Sequence, residues 1–142
     1  MRNRVNHERK AAAAVELAIL LPFLIFLIVI AADFGRIFYF AQIIENCARQ
    51  GALYASDPQA PAANLYSSLN PQNPLLAAAS ADATNLSPPL SQSNVTSTTG
   101  TDLAGNSYVA VTVTWTFHTI TTYPGVPSSV SLSRTAQMRM AP

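Results

Sequence analysis

Residues 11–32 read AAAAVELAILLPFLIFLIVIAA. From Leu17 to Ala32 this stretch runs sixteen residues without a charge, and Leu, Ile, Phe and Val dominate it. Extended back to Ala12 it reaches twenty-one residues, broken only by Glu16. About 20 apolar residues cross a bilayer as a helix, at ~1.5 Å of rise each. The stretch therefore predicts a transmembrane helix. Just before it, Arg2, Arg4, Arg9 and Lys10 crowd the first ten residues, opposed only by Glu8. Basic residues that flank a span stay in the cytoplasm, so the C-terminus is expected outside. A secretory signal peptide is the rival reading, with Val29-Ile30-Ala31 or Ile30-Ala31-Ala32 as its small-residue cleavage site. Two features argue against it. The apolar run is long for a signal peptide, and it continues without a polar break into more helix.

Beyond Ala32 the periodicity stays helical. Phe34, Ile37, Phe38, Ala41, Ile44, Ala48 and Ala52 recur at spacings of three and four, which predicts one apolar stripe. Asp33 and Arg36 are three apart, and Glu45 precedes Arg49 by four, the favourable order for a helical ion pair. Pro22 is expected to kink the helix inside the membrane. A single helix from about Ala12 to Ala55 would measure ~65 Å. Its first half fits a bilayer, and its second half needs its own domain or a neighbouring subunit to cover the stripe.

Glu16 calls for a reason, because a carboxylate at the start of an apolar span is costly. The plain reason is a position near the headgroups at a helix N-terminus, where the helix dipole favours an anion. The functional one comes from its surroundings. A cut between Ala11 and Ala12 would leave Glu16 as the fifth residue of the product, about one turn from the new amine. An amine from a neighbouring subunit could then pair with it and neutralise two charges that lipid disfavours.

The residues AAAAVELA at 11–18, Leu21-Pro22, Asp33-Phe34-Gly35-Arg36, Tyr39, Ala41-Gln42 and Ala48-Arg49-Gln50-Gly51-Ala52 together resemble the TadE-like pseudopilins of the tight-adherence (Tad/Flp) type IV pilus system. The resemblance covers Ala11 to about Ala55. Ala11 stands where the family's peptidase site usually has Gly, and Leu17 where Phe or Tyr usually follows the Glu. The resemblance implies a structural subunit of a pilus or secretion apparatus in the bacterial inner membrane. It implies processing between Ala11 and Ala12, and assembly through the N-terminal helix, with Glu16, Pro22, Phe34, Ile37, Ala41 and Ile44 as the assembly residues. The expected partners are the membrane, other pilus-system subunits and a prepilin peptidase. It implies no catalysis by the chain itself.

From Asp57 onward the only charged side chains are Asp57, Asp82, Asp102, Arg134 and Arg139. This part is polar through Ser, Thr, Asn and Gln, a surface poorly defended against association. A domain of this size buries only about 60% of its unfolded surface, so its core is expected to be modest. Asp57 to Asn73 contains Pro58, Pro61 and Pro71 and reads as a connector or a short broken helix. Asn73-Pro74 is a helix start, cap then first-turn proline. Leu76, Ala79, Ala83 and Leu86 make a short stripe, and Ser87-Pro88-Pro89 is the expected stop. Leu90 to Thr98 is a weak strand, and Thr99 to Asn106 is a turn region. Tyr108 to Thr119 is the clearest strand, with Val109, Val111, Val113, Trp115 and Phe117 alternating with polar neighbours. A second strand carries Val130, Leu132, Ala136, Met138 and Met140, its apolar face interrupted by Arg134. Tyr123-Pro124-Gly125 is the turn between them.

The predicted class is α+β: a long N-terminal transmembrane helix continuing into an extracytoplasmic domain with a short helix and an antiparallel sheet of two to three strands. Residues 1–11 are the basic cytoplasmic leader, 12–56 the transmembrane and projecting helix, and 57–142 the outer domain.

Net charge is +1, which points to no nucleic acid. His7 and His118 have no second ligand at metal spacing, so no metal is expected. There is no nucleophile elbow, no paired acid and base, and no phosphate loop, so neither an enzyme, a cofactor nor a small-molecule substrate is expected. Cys47 is the only cysteine, so no internal disulfide can form, and it reads as a small buried apolar residue. Asn85-Leu86-Ser87 and Asn94-Val95-Thr96 match the glycosylation sequon, but short polar loops produce it by chance. A second hypothesis from another class stays open, a membrane-tethered binding module that uses its sheet to hold a surface ligand. A secreted enzyme is the third.

Overall fold

The computed structural model describes residues 2–59, 73–120 and 127–140. The connector after Gln59 and the turn at Tyr123-Pro124-Gly125 lie outside them. In chain order the elements are helix α1 (Arg2–Ser56), helix α2 (Pro74–Ser80), a 3-10 turn at Gln92–Asn94, and strands β1 (Val95–Thr101), β2 (Ser107–His118) and β3 (Ser129–Arg139). The α+β class holds, with three antiparallel strands in the order β1-β2-β3. The chain divides into two compact units, Met1–Arg36 and Ile37–Pro142.

The first unit is helical throughout its described residues, and α1 begins at Arg2, ten residues before the predicted Ala12. The leader simply continues the helical backbone. Pro22 lies within α1. It has no N–H to offer the carbonyl of Ala18, a loss tolerated because the remaining turns are intact.

In the second unit the rest of α1 lies on the sheet. Every second residue of β2 from Val109 to Phe117 is buried, and Ile44, Cys47, Ala48, Ala52 and Ala55 of α1 face them in one core. The helix comes close because these positions are small. A methyl group added at Gly51 would sit 3.0 Å from Val111 Cγ1 and 3.4 Å from Ala79 Cβ. At the other end of β2 the packing is aromatic. The Phe40 ring centroid lies 5.1 Å from Trp115 and 5.8 Å from Phe117. The indole Nε1–H of Trp115 donates to the carbonyl of Pro88 at 2.9 Å, so the buried ring leaves no polar group unpaired.

Some predicted boundaries shift. The Asn73 side chain accepts from the Leu75 N–H at 3.0 Å and Pro74 opens α2, as the cap signal predicts. But α2 stops at Ser80. Ala83 and Leu86 are buried from turns beyond it, because the same apolar spacing is met by a chain that folds back onto the core. β1 runs over Val95–Thr101, later than the predicted Leu90 to Thr98, so Thr99–Thr101 are strand rather than turn. Its start is fixed by Asn94, whose side-chain amide donates to the Thr114 carbonyl at 2.9 Å. The turn between β1 and β2 is thereby confined to Asp102–Asn106. There Asp102 Oδ1 accepts from the N–H groups of Ala104 (2.9 Å) and Asn106 (2.7 Å). Gly105 supplies the positive φ of 81° that closes the turn.

The register pairs Val113 with Arg134 and Trp115 with Leu132. Arg134 is therefore on the helix-side face of β3, as its place in the alternation predicts, but at the sheet margin, where it stays exposed. On the opposite face hydroxyls meet across strands, Thr112 with Thr135 at 2.7 Å and Thr114 with Ser133 at 3.2 Å.

Candidate membrane and assembly surface

Between Ala11 and Ala32 every apolar side chain is exposed or half-exposed, and Ile19, at 72%, and Ile28, at 67%, are the barest of the large ones. A helix apolar on all sides has no aqueous face, so water is the wrong solvent for it. It is long and apolar enough to cross a membrane, and none of its most apolar window is buried. Twenty-two helical residues span about 33 Å, close to the ~30 Å of a hydrocarbon core. At its far end Asp33 is only 6% exposed, with Arg36 Nη1 at 3.1 Å from its Oδ1. This ion pair neutralises the first charges met after the apolar run.

Ala11 and Ala12 are both helical and exposed. Glu16 lies four residues after Ala12 on the same helix, exposed and flanked by the bare apolar side chains of Val15 and Leu17. Pro22 is exposed, as is Phe34 at 61%. Ile37 and Ala41 are half-buried and Ile44 is fully buried. The structure thus divides the six assembly candidates. Glu16, Pro22 and Phe34 are exposed, Ala41 is half-buried, and Ile37 and Ile44 pack into the core of their own unit.

The predicted stripe is corrected at its edges. Phe34 and Phe38 are exposed, whereas Phe40, Cys47, Gly51 and Ala55 turn inward. A 3.6-residue period admits two adjacent apolar registers through Ile37 and Ile44, and the sheet selects the one lined with small residues. The aromatic Phe40 escaped the sequence reading, although it stands three after Ile37 and four before Ile44. The Glu45–Arg49 pair forms at 3.0 Å. Cys47 is buried with a free thiol. Among the described residues no three His, Cys, Asp or Glu side chains gather to hold a metal ion.

A family model described as "TadE-like protein" matches residues 11–53. No curated protein and no solved structure matches the chain. The matched segment starts at the alanines before Glu16, takes in the apolar helix and the Asp33–Arg36 pair, and ends within the part of α1 that packs on the sheet. Over residues 11–53 the chain is similar to the TadE-like family.

Proposed function

We propose that the chain is a structural, non-catalytic, pseudopilin-like subunit of a Tad/Flp-type pilus assembly or secretion apparatus. It sits in the bacterial inner membrane with residues 1–11 in the cytoplasm and residues 57–142 outside, and it assembles through its N-terminal helix. The observation that carries this reading is the coincidence of the TadE-like match with the helix whose apolar surface is bare on all sides. Such a surface needs lipid or other helices. Glu16 is the one carboxylate within it, and its partner in the assembly would be the amine of a neighbouring subunit cut before Ala12.

Replacing Glu16 with Gln keeps the shape and removes the charge. The variant inserts as the parent does, because less charge enters lipid, and its outer domain folds. Co-isolation with the other pilus-system subunits falls. Undiminished co-isolation would refute the pairing.

A second reading has its own support. The outer face of the sheet is a row of hydroxyls, Thr112 with Thr135 and Thr114 with Ser133, a surface suited to an uncharged polar ligand on a membrane-tethered binding module. Under that reading Glu16→Gln has no effect on any interaction of the outer domain.

A further inference from the structure

The Ile37–Pro142 unit has two unlike ends. β2 runs opposite in sense to the part of α1 beneath it, since Phe40 meets Phe117 and Trp115 while Gly51 meets Val111. The start of that helical part and the end of β2 therefore lie at one end of the unit. By covalent connection this is also the end at which the chain arrives from the apolar segment of α1.

Three large apolar side chains are bare there. Phe38 is 56% exposed and Tyr39 51%, on the two residues before Phe40. Ile120 is 66% exposed, two residues past the end of β2 and just outside the pair of bonds that closes the hairpin base. Those bonds run from Thr119 N–H to the Ser128 carbonyl at 3.2 Å and from Thr119 Oγ1 to the Pro127 carbonyl, also at 3.2 Å. Tyr39 keeps its hydroxyl at 3.4 Å from the Asn85 amide, so its ring is held at that end.

Most formal charges of this unit lie elsewhere. Asp57 follows the far end of α1, and Asp102 sits in the opposite turn. Arg139 pairs in register with Tyr108 at the start of β2, and Arg134 with Val113 in its middle. Glu45 and Arg49 neutralise each other. Asp82 follows α2. His118 also lies at the apolar end, exposed on the hydroxyl face.

We infer that this end of the outer unit rests on the lipid surface, with Ile120 inserted at the boundary between headgroups and acyl chains beside Phe38 and Tyr39. Lipid is the occupant because the exposed apolar side chains lie at the end joined to the apolar span, where Asp33 and Arg36, the charges just before this unit, neutralise each other. Tyrosine is also at home at that interface. The inference rests on the reading of α1 as a membrane span.

The test uses full-length protein in vesicles of phosphatidylethanolamine and phosphatidylglycerol. An environment-sensitive fluorophore is placed on a single introduced cysteine in three variants: Ile120→Cys, Leu103→Cys in the opposite turn, and Leu24→Cys within the span. The parent, whose Cys47 is buried, gives the background. Nitroxide-labelled lipid is the quencher. The label at 120 is expected to emit blue-shifted and to lose intensity to the quencher, as the label at 24 does, while the label at 103 stays water-like and unquenched. If 24 is quenched and 120 behaves like 103, the docking is wrong although the span stands. If none of the three is quenched, the span itself is wrong and the docking falls with it.

Discussion

At the scale of single residues, Gly51 and Asp102 show how little freedom a modest core and a tight turn leave. At Gly51 α1 lies close to β2, and any side chain there meets Val111, Ala79 and Leu75 at once. Gly51→Val should lower the stability of the outer unit by about 1–3 kcal/mol through overpacking. Trp115, the only tryptophan and a buried one, reports the unfolding by its emission. An unchanged midpoint would mean that helix and sheet part easily at that point. Asp102 acts through charge. Hydrogen bonds to its carboxylate from the Asn106 backbone N–H, the Asn106 side chain and the Ala104 N–H, with help from nearby Arg139, hold its pKa below the ordinary aspartate value. A depressed carboxylate pKa stabilises the fold at pH values above the unfolded pKa, and that contribution disappears as pH falls through the folded pKa. The turn should therefore loosen only below the ordinary aspartate range near pH ~4. In an NMR titration the Asn106 amide should shift in that acid range in the parent and stay flat in Asp102→Asn. An Asn106 titration centred at or above pH ~4 would contradict the assigned hydrogen bonds.

At the scale of elements, α1 and β2 were legible in the sequence because each carries a strong period. Val109 to Phe117 alternate so regularly that strand, buried face and aromatic end follow from spelling alone. The apolar helix was legible by its length and composition. What the sequence could not decide was the rotation of α1 about its axis. Phe34 and Phe38 fit the same period as Phe40 and Cys47, and only the sheet chooses between them. β1 was faint because Thr, Ser and Gly fill it and its burial is partial. The end of α2 was misplaced because Ala83 and Leu86 keep a helical spacing after the helix has stopped. Among the candidate assembly residues, the sequence could not tell Ile44, which serves its own core, from Phe34, which faces outward. Two substitutions separate these roles. Ile44→Asp buries an unpaired carboxylate and should cost more than ~3 kcal/mol, leaving the outer unit unfolded or aggregated. Phe34→Ser should leave the Trp115 unfolding curve of the outer unit unchanged and reduce co-isolation with partner subunits. Equal damage to folding by both changes would mean that Phe34 supports the outer unit after all.

At the scale of the whole molecule, the chain divides its chemistry by position. Basic residues come first, then a helix bare of polar groups except Glu16, then an ion pair, and then a domain whose helix and sheet cover each other while its surface stays almost uncharged. The central claim is that the first stretch is removed and the second assembles. The mature N-terminus, read by mass spectrometry on protein extracted from the membrane of the producing cell, tests this most directly. A start at Ala12, with residues 1–11 lost, is what the account predicts, because only then does Glu16 stand one helical turn from a free amine. A start at Met1 would leave a plain membrane anchor, and a start just after Ala31 or Ala32 would make the apolar run a signal peptide. Either result would contradict the account.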